Sequence, residues 1–169
     1  MTVIVFTPII PKELNVSVFR LEILNALRKE GTVHRKELKR TVTTWDDAPR
    51  IESKVSLNKK NGASVQTGPT GSEDAVNHWI FTDEGTSPHL ITARRAPSLR
   101  FQAGYTPRTR VGKFTSGQSR RFGAWRSPVT VRHPGTTARE WSKELSISRQ
   151  RPFETRIRGA IEKAAKRAF

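Results

Sequence analysis

Between residues 12 and 43 apolar side chains return at steps of three and four. Leu14, Val18, Leu21, Leu24 and Leu27 form one stripe, and Val16, Phe19 and Ile23 widen it. That period predicts a well-covered helix. Gly31 falls inside it, and the pattern resumes at Val33, Leu38 and Val42. Residues 12–44 therefore read as one long helix, with or without a kink, or as two in series. Pro49 in DDAPR closes the region, because a proline disfavours helix at the residue before it.

From residue 51 the period changes to two. Ile51, Ser53, Val55 and Leu57 alternate with Glu52, Lys54 and Ser56, and Ala63, Val65 and Thr67 alternate on the way back. Asn61-Gly62 between them predicts a tight hairpin turn, since both residues tolerate positive φ. TGPTGSED (67–74) reads as a loop, and AVNHWIFTDE (75–84) as a further strand with Trp79 and Phe81 on one face. HLITARR, SLRFQA and VTVRH add strand pieces, so sheet is expected over 50–101 and 129–136. The span 102–128 is rich in Gly, Ser and Arg and reads as a long basic loop or extended arm. From Pro152 a last helix is predicted, covering 150–168. Proline suits a first helical position, and Glu154 suits the positive N-terminal end. Phe153, Ile157, Ile161, Ala164 and Ala168 supply its stripe. The segment EWSKELSISRQ before it fits no single pattern.

Length changes this picture little: 169 residues suit one domain over 1–169 with a modest core. Charge changes it more. Lys and Arg number 31 against 15 Asp and Glu, a formal net charge of +16. Such a surplus resists compaction and points to a polyanionic or acidic partner. It is also unevenly placed, for residues 85–139 hold no Asp or Glu at all. Within them lie Arg94, Arg95, Arg100, Arg108, Arg110, Lys113, Arg120, Arg121, Arg126, Arg132 and Arg139. Ten of these eleven cations are arginine, whose guanidinium fork suits phosphate and carboxylate. Tyr105, Phe114, Phe122 and Trp125 are interleaved with them, a pattern compatible with stacking on bases. Docking on an acidic protein surface is the leading alternative, and a plain solvated loop is the third.

Candidate chemistry is sparse. With no cysteine there is no disulfide, thiolate metal site or cysteine nucleophile. The histidines His34, His78, His89 and His133 match no zinc spacing, although His78 and His89 would meet if their strands paired, with Asp83 or Glu84 nearby. No nucleophile elbow or phosphate-binding lysine loop is present. Asp46-Asp47 are adjacent and point apart, as helix-end solvation would have them. The apolar start MTVIVFTPIIPKEL is broken by Pro8 and Pro11 and lacks a basic leader, so no signal peptide is read. No window is apolar for long enough to predict a membrane span. Two motifs remain, EGTSPH (84–89) and HPGT (133–136). In the first, Gly85 frees the backbone and Pro88 holds Ser87 extended. In the second, Pro134-Gly135 fits a type II turn. Both read as corners of the scaffold.

Taken together, WIFTDEGTSPHLITARRAPSLRF (79–101) and VTVRHPGTTAREW (129–141) resemble the tail-completion, or neck type one, proteins of long-tailed bacteriophages. Glu84, Gly85, Thr86, Pro88, His89, Ile91, Leu99, Phe101, Val131, His133, Pro134, Gly135 and Thr136 carry the resemblance. It implies an α+β fold: a curved, mostly antiparallel sheet with a long N-terminal helix, a C-terminal helix and a long basic arm. It further implies a structural virion protein, assembled in the host cytoplasm, with no catalysis and no cofactor. Copies would form a homo-oligomeric ring, usually sixfold, joining the head connector, adaptor or stopper proteins to the tail terminator or tail tube. Some arginines would touch DNA in the channel without reading its sequence. One departure concerns the helix that follows HPGT in this family. Here AREWSKELSISRQRPF intervenes, and either Trp141 or Phe153 takes its packing role. A small basic nucleic-acid-binding protein is the competing reading, without a recognisable binding module.

Overall fold

The computed structural model describes residues 2–6, 16–58, 62–102, 105–106, 111–114, 120–121 and 123–168. In chain order the elements are β1 (Thr2–Phe6), α1 (Val16–Thr41), β2 (Arg50–Asn58), β3 (Gly62–Thr70), α2 (Glu73–Glu84), β4 (His89–Thr92), β5 (Phe101–Gln102), β6 (Tyr105–Thr106), β7 (Arg120–Arg121), β8 (Trp125–Arg126), β9 (Thr130–His133) and α3 (Trp141–Ala168). The class is α+β, with antiparallel sheets, an N-terminal helix and a C-terminal helix. Where length suggested one domain, the chain clusters into two compact units. The first takes Met1–Lys39, Arg50–Thr70 and Ser142–Phe169, and the second Arg40–Pro49 and Gly71–Trp141.

The first unit is a three-stranded antiparallel sheet of order β1-β3-β2 with helical segments packed on it. The β2–β3 hairpin has the register that its alternation predicts, with Val55 opposite Val65 and Asn58 opposite Gly62. Gly62 has φ 68°, while Asn61 lies outside the described residues. The strand β1 was not foreseen: its apolar, β-branched run pairs with β3 from Thr2–Thr67 to Phe6–Ala63. The core joins Ile23, Ala26 and Leu27 of α1 to Ala63 and Val65 of β3 and to Phe153, Ile157 and Ala160 of α3. Each large side chain so buried contributes about 1.5–3 kcal/mol.

Two helix expectations need correction, the buried stripe of α1 and the start of α3. The single long helix among the alternatives is the one found: α1 runs unbroken through Gly31, because that glycine serves packing rather than a break. A Cβ there would stand 3.1 Å from Ser53 Cβ, and Ser53 Oγ donates to the Gly31 carbonyl at 2.7 Å. The buried stripe also lies to one side of the predicted one. Phe19, Ile23 and Leu27 are buried, whereas Val16 and Leu21 are exposed; Leu14 lies outside the described residues. The second correction concerns α3, which begins at Trp141 rather than near 150 and carries Pro152 in its interior. Trp141 and Phe153 are both buried, so neither alone takes the packing role left open by the sequence.

Charge is buried between the helices of this unit. Glu30 is fully buried and receives Arg149 Nε at 2.8 Å. Arg156 Nε lies 2.8 Å from the other carboxylate oxygen, although its angle falls short of a hydrogen bond. His34, one turn on and equally buried, stands 3.3 Å away. Burial pushes the Glu30 carboxyl up, but the His34 ring and the two guanidiniums outweigh it and hold the pKa below the usual value of 4.5. Glu22 receives Lys163 at 3.0 Å and also pairs with Arg167, both cations being half exposed.

In the second unit, residues 75–84 correct the sequence reading outright. They belong to a helix, α2, and not to a strand. Ser72 caps it, accepting from Ala75 N at 3.3 Å, and Glu73 and Asp74 fill its first turn. Ala75, Trp79 and Asp83, four residues apart, are its buried positions. Trp79 lies 5.9 Å from Trp141 ring to ring and donates from Nε1 to Thr41 Oγ1 at 3.3 Å. The cap and the first-turn acids suit the helix N-terminus. They overrode an aromatic composition that favours strands.

Candidate interaction surface

The two sequence motifs meet within the second unit. Thr86 and Thr136 form a β-bridge, each amide donating to the other's carbonyl at 2.9 and 3.0 Å. The Thr136 amide also reaches Thr86 Oγ1 at 3.0 Å. Each flanking glycine makes room for this clasp. Gly85 has φ 79°, and a Cβ there would fall 2.7 Å from the Thr136 carbonyl oxygen. Gly135 has φ 90°, and its Cβ would fall 2.3 Å from that of Thr86. Only glycine fits both the backbone angle and the approach.

From the clasp a two-stranded ribbon runs outward. β4 pairs with β9, β5 with β8 and β6 with β7, all antiparallel. His89 stands opposite His133, with ring centroids 5.0 Å apart. His89 Nδ1 donates to the Ser87 carbonyl at 2.8 Å, and His133 Nδ1 accepts from Gly135 N at 3.1 Å. Each imidazole thus fixes its own turn, which explains a histidine beside Pro88 and another beside Pro134. The ring partner of His78 is Trp45, at 4.4 Å. Among the described residues no three His, Asp or Glu side chains gather to hold a metal.

Beyond Thr92 the ladder changes register. Ala93 N donates to Val129 O and Leu99 N to Pro128 O, so residues 94–98 swing out while the facing strand advances by one. Arg94 and Arg95 ride on this excursion, exposed. Further along, Arg126 is exposed, and the Arg100 guanidinium lies 5.1 Å from the ring centroid of Trp125. Exposed Lys113 sits in a segment that returns to the start of α3: Gly112 N donates to Arg139 O, and Trp141 Nε1 to Lys113 O, each at 2.9 Å. Arg120 and Arg121 form β7. Arg108 and Arg110 lie outside the described residues. The predicted basic arm is therefore paired as a ribbon at 101–102 with 125–126 and at 105–106 with 120–121, while 111–114 lie in no strand.

The ribbon near its base has two unlike faces. Leu90, Thr92, Thr130 and Arg132 share one, and all four are exposed, Leu90 to 70%. Ile91, Val131 and His133 on the other are half-buried. The cross-strand histidines and the clasp were missed in the sequence because their partners lie more than 40 positions apart. The matching alternation of HLIT and TVRH was the available signal. Among the described residues no helix is long and apolar enough to cross a membrane. Comparison with known protein families, characterised proteins and solved structures returned no match to this chain.

Proposed function

We propose that this chain is a structural virion protein of a bacteriophage neck, forming a ring that joins the head connector to the tail tube around the DNA channel. The observation that carries the reading is the reciprocal clasp. The two motifs behind the resemblance, 84–89 and 133–136, interlock through Thr86 and Thr136 with each glycine under the other's threonine carbonyl. They are therefore one device, the root of an arginine-bearing, acid-free ribbon. A ribbon of two strands gains little stability alone and is suited to completion by neighbours. In this role the protein is not an enzyme and uses no cofactor. Its partners are further copies of itself, head-side connector, adaptor or stopper proteins, and the tail terminator or tube. Non-specific contact of ribbon arginines with DNA in the lumen completes the reading.

The competing reading, a small nucleic-acid-binding protein, draws on the Arg100–Trp125 stack. The exposed aliphatic side chains of Leu90 and Val129 argue against it, having no use against phosphates. Complementation tests the proposal. Phage assembled without this protein should accumulate DNA-filled heads and separate tails, and adding it should join them into infectious particles. Normal particles formed in its absence would refute it.

A further inference from the structure

The second unit is segregated by charge. Its stretches 41–49 and 71–84 carry six carboxylates and no Lys or Arg, while 85–139 carries eleven cations and no carboxylate. Of the six, Asp83 is buried and the other five are exposed. Asp46, Asp47, Glu73, Asp74 and Glu84 form no ion pair among the described residues, and neither do Arg94, Arg95, Arg126 and Arg132. The acids are also gathered. Trp45 stacked on His78 brings the loop bearing Asp46 and Asp47 onto α2, where Asp74 precedes His78 by one turn. Phe81, 53% exposed, lies on α2 three residues before Glu84 and two turns beyond Glu73. Opposite signs thus surround exposed apolar groups on both surfaces: Phe81 among carboxylates, Leu90 and Val129 among arginines.

We propose that the basic ribbon of one chain docks on the acidic α2 face of a second copy. Arginine forks meet carboxylates at the rim, and Leu90 and Phe81 lose water at the centre. Because the two surfaces differ, the contact is head-to-tail, and repetition by rotation closes a ring. Five acids leave part of the ribbon's charge unmatched, so the closed oligomer still presents arginines to a further anionic partner. The inference rests on the ring reading only for closure; the pairing of surfaces stands by itself.

Charge exchange on the full chain tests it. One variant carries Arg94→Glu, Arg95→Glu and Arg132→Glu; the other carries Asp46→Arg, Asp47→Arg and Glu84→Arg, which leaves the first-turn acids of α2 in place. All six positions are exposed, and thermal melts monitor folding. In sedimentation velocity the wild type should form a defined oligomer, and each variant alone should associate at least about tenfold more weakly. An equimolar mixture should regain the wild-type oligomer, since each basic surface then meets an acidic one. Leu90→Ser should weaken association with the charges intact. The proposal is overturned by a monomeric wild type, by variants that assemble normally, or by a mixture that stays dissociated. It is also overturned if the ribbon variant loses DNA binding while keeping its oligomer, which would make nucleic acid the occupant. Head–tail joining that survives in particles built from either variant would overturn this interface and leave the neck role intact.

Discussion

Gly135 and Gly85 hold the clasp by lacking a side chain. Gly135→Ala puts a methyl where the Thr86 carbonyl oxygen already stands, at a φ of 90°. It should destabilise the fold by about 2–4 kcal/mol, read as a lowered denaturation midpoint, with Gly85→Ala close behind. Gly159→Ala is the control: nothing lies within 4 Å of its Cβ in the exposed face of α3, so it should stabilise by about 0.5–1 kcal/mol. Glu30 sets the acid limit. Its folded-state pKa is depressed below 4.5, so its stabilisation is present above that value and is lost as pH falls through the folded one. Stability followed from about pH 6 to about pH 3 should drop more steeply in the wild type than in Glu30→Gln. At neutral pH that variant should cost about 2–3 kcal/mol, because Arg149 and Arg156 lose their counter-charge. Equal acid slopes would show that the ion cluster is idle. At this scale the sequence was legible for the turns at Gly85 and Gly135 but misleading for Gly31 and Pro152, whose roles are set by packing partners far along the chain. It was silent on Glu30, whose arginines lie well over a hundred residues away.

Among the elements, legibility followed periodicity. The β2–β3 hairpin was read from its spacing because local pattern and pairing agree, and α1 was read as a helix although its buried stripe lies to one side of the predicted one. α2 was misread because Trp79, Ile80 and Phe81 favour a strand, while the deciding information lay upstream in Ser72, Glu73 and Asp74. Ser72→Ala should therefore cost about 1 kcal/mol and loosen the first turn of α2, visible as faster amide exchange there. The start of α3 was misplaced because proline is most at home in a first turn. Within the helix Pro152 removes an amide donor and crowds the carbonyl four residues back. The packing of Trp141, Leu145 and Phe153 along one helix overrides that cost. The ribbon was only half legible, since its strands are two to four residues long and pair across long separations. What the sequence did show was its charge.

On the scale of the molecule, that charge organises the account. A formal +16 would be a burden for a protein meant to stand alone. Under the proposed docking, the eleven cations of 85–139 serve assembly by meeting a carboxylate-bearing helix of a second copy. The clasp fixes where the ribbon leaves the scaffold, and the excursion at 94–98 sets two arginines outside the ladder. Clasp and charge segregation support the proposed reading of a ring component that acts through contact. Electron cryomicroscopy of particles containing this chain tests that claim most directly. The account predicts density for a closed ring of identical copies at the head–tail junction, encircling the DNA path. A chain found elsewhere in the particle, or present there only as an isolated copy, would contradict it.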